Sequence, residues 1–145
     1  MPPKKKDDKS KGGEADETTR EDMGKYYFAD GSYYAGKFAR KGEMVKRNGH
    51  GMYFDGGAVF DGQWLDDEMH GEGSITFDTG AVYKGSFAAN QFHGKGTYTW
   101  PDGTSYEGQW RRNLMHGEGV YTDAQRRRWT GRFYDGKGHQ LIQEV

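Results

Sequence analysis

Four histidines, His70, His93, His116 and His139, fall 23 residues apart, and evenly spaced imidazoles invite a metal ladder. Zinc needs ring nitrogens that converge at about 2.1 Å. Residues repeating in one column of an extended array instead project in parallel, roughly 9–10 Å apart when each unit adds two strands. Asn48 fills the equivalent slot in the first full unit. Such a residue can satisfy the backbone groups of a turn, so the expected role is structural and no metal site is assigned.

Other chemistry fails on its own terms. Gly71-Glu72-Gly73 has the glycine spacing of a phosphate-cradling loop but neither a following helix nor a Gly-Lys-Ser/Thr signature, so no nucleotide or other cofactor is expected. There is no cysteine and no Gly-x-Ser-x-Gly, and Asp66, Asp67 and Glu68 sit together in a connection that reads as solvated. No catalytic residue is assigned, and the chain reads as a non-enzyme. The basic clusters Arg111-Arg112, Arg126-Arg127-Arg128 and the loop with Lys41, Lys46 and Arg47 are left. Arg126, Arg127 and Arg128 are candidate anion contacts. A formal net charge of -1 and interleaved acidic residues argue against nucleic acid, and anionic membrane is the second choice after protein.

The elements that would position these groups come from a repeat. An aromatic, any residue, Gly, any residue, and a second aromatic occur at Phe60 to Trp64, Tyr83 to Phe87, Tyr106 to Trp110 and Trp129 to Phe133, each step being 23 residues. An earlier copy runs from Tyr34 to Phe38. His-Gly-x-Gly follows at a fixed offset in the clearer copies. Alternation across Gly73-Ser74-Ile75-Thr76-Phe77, then a turn at Asp78-Thr79-Gly80, then alternation again through Tyr83, Gly85 and Phe87, makes each unit a β-hairpin. Asp30-Gly31, Gly56-Gly57, Gly80 and Asp102-Gly103 supply turn glycines, whereas the second connection, typified by residues 66–69, reads as longer and polar.

Consecutive hairpins with short connections make an all-β, single-layer antiparallel meander of about five repeats, degenerate at both ends. Residues 1–22 read as a charged tail, disordered unless docked; residues 23–138 as the solenoid; residues 139–145 as a C-terminal edge segment. Residues 39–47 carry four extra residues, expected as a longer loop. Identical positions then stack in columns. Tyr34, Phe60, Tyr83, Tyr106 and Trp129 form one, and Phe38, Trp64, Phe87, Trp110 and Phe133 another. Between them Gly36, Gly62, Gly85, Gly108 and Gly131 leave slots for rings to lie against backbone. No helical periodicity supplies a second layer, so either the sheet curls over its own rings or a partner covers them, and the two are compatible, a curled sheet with a residual aromatic groove being a binding surface. The ten rings, together with Leu141 and Ile142 at an unpaired edge, are the expected partner-binding residues.

The units, with Pro101-Asp102-Gly103 before Tyr106-Glu107-Gly108-Gln109-Trp110 and Met115-His116-Gly117-Glu118-Gly119 after it, resemble MORN (membrane occupation and recognition nexus) repeats. The resemblance implies a curved hairpin solenoid acting as scaffold or adaptor, with a partner helix or strand in its groove. The lysine-rich start Met1-Pro2-Pro3-Lys4-Lys5-Lys6 is similar to that of small stand-alone members in motile cilia and flagella. By that analogy the chain would be a structural part of a large axonemal assembly, in radial spoke, central apparatus or doublet. With no cysteine and no long apolar run, a soluble cytoplasmic or cytoskeletal protein is expected. The alternative is a peripheral tether to anionic phospholipid through the basic tail and arginine clusters.

Overall fold

The computed structural model describes residues 18–145, so for residues 1–17 the expectation of a charged tail lies outside the described residues. The strands are β1 (Arg20–Tyr27), β2 (Tyr33–Lys41), β3 (Met44–Phe54), β4 (Ala58–Leu65), β5 (Glu68–Phe77), β6 (Val82–Ala88), β7 (Gln91–Thr99), β8 (Ser105–Arg111), β9 (Leu114–Thr122), β10 (Arg128–Tyr134) and β11 (Lys137–Gln143). They form one antiparallel sheet in strict chain order. Two boundaries differ from the sequence reading. Arg20, Glu21 and Asp22 already belong to β1, and His139 to Gln143 complete β11 instead of standing apart.

A line of glycines crosses the sheet from β1 to β10. Gly24 faces Gly36, Gly36 faces Gly51, and the pairing continues through Gly62, Gly73, Gly85, Gly96, Gly108 and Gly119 to Gly131. Just past that line the register slips, between Gly36 and Phe38, Gly62 and Trp64, Gly85 and Phe87, and Gly108 and Trp110. A bulge bends its strand. Four residues of straight strand would separate two side chains by about 13 Å, yet the rings of Phe60 and Trp64 lie 5.2 Å apart, edge to face. Tyr83 and Phe87 lie 5.1 Å apart, and Tyr106 and Trp110 5.2 Å.

Each unit then hands its first ring to the second ring of the next unit. Tyr34 meets Trp64 at 5.5 Å, Phe60 meets Phe87 at 5.1 Å, Tyr83 meets Trp110 at 5.4 Å and Tyr106 meets Phe133 at 4.7 Å. The result is one unbroken series of edge-to-face contacts, each contributing on the order of 0.5–1.5 kcal/mol beyond area burial. The glycines are a steric condition for it. A Cβ on Gly62 or Gly108 would stand 2.5 Å from the Cα of the facing glycine, and one on Gly96 or Gly119 would stand 2.4 Å from the nearest ring carbon of Tyr83 or Tyr106. A single sheet thereby encloses its own core, of the two possibilities the one in which the sheet covers its rings.

Two kinds of turn alternate. Before the even-numbered strands, the turns close with a left-handed residue: Gly31, Gly80 and Gly103 donate their N–H groups to the carbonyls of Phe28, Phe77 and Trp100. After those strands the connection is not the longer polar loop expected. It is a two-residue turn with both residues at positive φ, at Asp66-Asp67, Ala89-Asn90, Arg112-Asn113 and Asp135-Gly136, the geometry that matches strand twist. The extra residues at 39–47 likewise do not loop out. They lengthen the ladder, Phe38 facing Arg47 and Lys41 facing Met44, because turn residue Gly42 closes the hairpin two residues farther from the core.

Candidate functional site

The rings expected to bind a partner are mostly spent on the core. Tyr34, Phe38, Phe60, Trp64, Tyr83, Phe87, Tyr106, Trp110 and Phe133 are all buried, the most exposed being Trp110 at 6%. This narrows the sequence reading: the bulged strands bring the two columns against each other, so the rings cover one another and leave a partner little of their surface. Trp129 leaves its column. It is half-buried and donates its indole N–H to Asp123 at 3.0 Å. Leu141 packs on the core, while Ile142 is exposed at the outer strand.

Polar groups inside this core are paired by the same bend that makes it. The hydroxyls of Tyr34, Tyr83 and Tyr106 donate to the carbonyls of Lys37, Ser86 and Gln109, three residues on in the same strand. The bulge turns that carbonyl inward, where without the hydroxyl it would lack this donor. Burial pushes the Tyr34 and Tyr106 hydroxyls up to about 12, and Tyr83 up as well, so they stay protonated donors. The indoles of Trp64 and Trp110 donate across strands to the carbonyls of Gly51 and Gly96.

A second ring row is half-buried along the margin of the core. Tyr53, Ile75, Tyr98 and Tyr121 each follow a strand glycine by two residues and lie opposite the first-column rings. Between Phe77, Phe92, Tyr98, Trp100, Trp110 and Leu114 is an apolar hollow of 330 Å³. Another, of 290 Å³, lies at the N-terminal end among Tyr26, Phe28, Tyr34, Phe38, Val45 and Arg47. Sequence reasoning passed over this row, although aromatic residues at 53, 98 and 121 recur behind the second glycine of Gly-x-Gly or its equivalent.

The repeats are tied at their tight turns by residues that sequence reasoning also missed. Asn90 accepts the N–H of Met69 through Oδ1 at 2.8 Å while its own N–H donates to the Met69 carbonyl. Asn113 does the same with Phe92, and Asp67 with Arg47. The signal was a polar residue recurring at 67, 90 and 113, one that tolerates positive φ. These side chains perform the turn work assigned to the histidines, which lie in β5, β7, β9 and β11. Among the described residues no group of three His, Asp or Glu side chains is placed to hold a metal.

Of the candidate anion contacts, Arg127 pairs with Asp123 at 2.8 Å and Arg128 with Glu144 at 3.1 Å. Arg126 takes the turn position where other units have glycine, at φ 62. Asp123 braces this turn by accepting the amides of Gln125 and Arg127. The indole of Trp129 and then the groups of Arg127 and Gln125 hold its carboxyl down at about 2. Arg47, read as part of a basic loop, lies 4.2 Å over the Trp64 ring and bonds Asp67. These cations are therefore largely engaged by the protein itself.

The family model for the MORN repeat matches residues 23–33, 60–82, 83–105 and 106–125. The lengthened hairpin falls in the span between the first two matches. No curated protein matches the sequence significantly.

Proposed function

The chain belongs to the MORN repeat family, and from that membership we propose a non-catalytic scaffold that holds a helix or strand of a partner protein against its second ring row. The observation that supports this is the division of labour between rings. The first columns close the core, while Tyr53, Tyr98, Trp100 and Tyr121 stay half-buried, Tyr98 and Trp100 lining an apolar hollow. A segment crossing the strands there would cover aromatic surface without disturbing the fold, the kind of contact on which interface affinity concentrates.

We place this scaffold in an axonemal complex of a cilium or flagellum, a reading that rests on the similarity of the lysine-rich start. The test is crosslinking and capture from ciliary extract with the full chain carrying Tyr98→Ala and Trp100→Ala, its fold checked by circular dichroism. Loss of a partner held by the unaltered chain is expected. Unchanged capture by the folded variant counts against the ring margin. Flotation with anionic vesicles at two salt concentrations separates this from the lipid-tether alternative, since charge-driven binding weakens as salt rises.

A further inference from the structure

The face away from the rings carries charge in a regular order beside the glycine line. The exposed charged residues flanking it are Lys37 in the first repeat, Asp61 and Glu72 in the second, and Lys84 and Lys95 in the third. Glu107 and Glu118 follow in the fourth, then Arg132 in the fifth. The sign reverses at each repeat, and a repeat of two strands advances about 9–10 Å.

Pairing within the sheet engages half of these charges, Glu72 among them, which accepts the Ser86 hydroxyl at 2.7 Å. His50 meets Asp61 at 2.7 Å and Arg132 meets Glu118 at 3.7 Å, both across a repeat boundary. Lys84 instead faces Thr97, and Lys95 faces Gln109. Among the described residues Lys84, Lys95 and Glu107 have no ion-pair partner within 4.0 Å. A shallow hollow of 550 Å³ opens beside the glycines, between Lys95, Glu107, Glu118 and Arg132.

Bands this wide match the screening length at about 0.1 M salt, roughly 10 Å. A partner in contact therefore feels each band separately. A uniform polyanion, whether nucleic acid or an anionic bilayer, would meet attraction and repulsion in turn, with little net gain. Favourable binding needs a surface whose charge alternates at the same interval, and the same face of a second copy has it. Turned about an axis parallel to the strands, a second copy presents its repeats in reverse order. In register, like bands oppose. Displaced by one repeat, the first repeat lies over the fourth and the second over the third, and four bands meet opposite charge.

We propose that this face is a self-association surface on which two copies pair antiparallel, offset by one repeat. It lies opposite the ring margin, so the two sites are independent.

Sedimentation analysis of the full chain tests it. A dimer is expected at low salt, its apparent Kd rising at least about tenfold between roughly 0.05 and 0.5 M. Lys84→Glu with Lys95→Glu, and separately Asp61→Lys with Glu72→Lys, should each leave a folded monomer. Mixing the two variants should restore a heterodimer, because the reversed third band of one then lies over the reversed second band of the other. A chain monomeric at every salt concentration overturns the proposal. So does a dimer indifferent to salt and to both reversals, or folded variants that fail to rescue one another.

Discussion

Arg47 and Asp67 form, in the first repeat, the turn clasp that an apolar residue and an asparagine form in the next two. Met69 with Asn90 and Phe92 with Asn113 exchange one amide-to-side-chain and one backbone bond. Arg47 and Asp67 keep both and add a guanidinium to carboxylate contact of 2.7 Å. The guanidinium meanwhile occupies the place over the neighbouring rings that Phe92 fills by stacking 3.8 Å from Tyr83. The charged pair is thus a joint replacement. Arg47→Met and Asp67→Asn should each destabilise, and the double variant should recover part of the loss, with a coupling of about 0.5–1 kcal/mol in urea unfolding.

Phe60 takes a first-column place that is tyrosine at 34, 83 and 106, so the Gln63 carbonyl lacks the phenol donor that Lys37, Ser86 and Gln109 receive. Phe60→Tyr should raise stability by about 0.5–1.5 kcal/mol, and Tyr83→Phe should lower it by about 1–3 kcal/mol, since a buried acceptor is then left unmet. Denaturant midpoints at constant slope check both. A Phe60→Tyr variant less stable than the parent would show that the second repeat has no room for the hydroxyl.

The crease and the turns use glycine for different reasons, and substitutions separate them. At Gly96 an added methyl collides with the Tyr83 ring, whereas at Gly103 nothing lies within 4 Å and only the φ of +88 resists a side chain. Gly96→Ala should cost about 3 kcal/mol or more by forcing the ring out, and Gly103→Ala only about 1 kcal/mol. Thermal melts that rank these two in the opposite order would remove the crease as the basis of the core.

Arg126 holds a left-handed turn position at φ 62 without being glycine. Arg126→Gly should relieve that conformation and stabilise by about 0.5–1 kcal/mol, the gain being reduced by the greater freedom of glycine in the unfolded chain. Calorimetry of the pair gives the sign directly.

Acid should act on the same turn. The Asp123 carboxyl sits at about 2 in the folded chain, below its ordinary 3.8, so its contribution is present above 3.8 and is lost as pH falls through about 2. Asp123→Asn keeps an acceptor for the turn amides but removes the titration. Its stability should decline less between about pH 4 and pH 2 than that of the parent. Equal slopes in that window would show that the indole and amide bonds do not hold the carboxyl down.

Much of this was open to inspection in the linear chain. The 23-residue spacing, the alternation around Ile75 and Phe77, and turn glycines such as Gly103 led to hairpins in chain order because they are local properties, set by strand periodicity and turn sterics. The bend was not legible. Tyr83 and Phe87 share a strand face by simple alternation, and nothing in their spacing says that a register slip will bring them into contact. The same slip converted the expected groove into core. Asn90 and Asn113 look like ordinary turn residues until the preceding repeat lies beside them, since their partners are 21 residues away.

By itself the sequence determined the repeat, the strand and turn order, the columns and the need for glycine between them, because each follows from periodicities along one chain. Only the tertiary structure decided which rings remain accessible, which charges find partners and which turns clasp. Burial and pairing depend on what the neighbouring repeat brings to the same place, and that is settled by the curvature of the sheet.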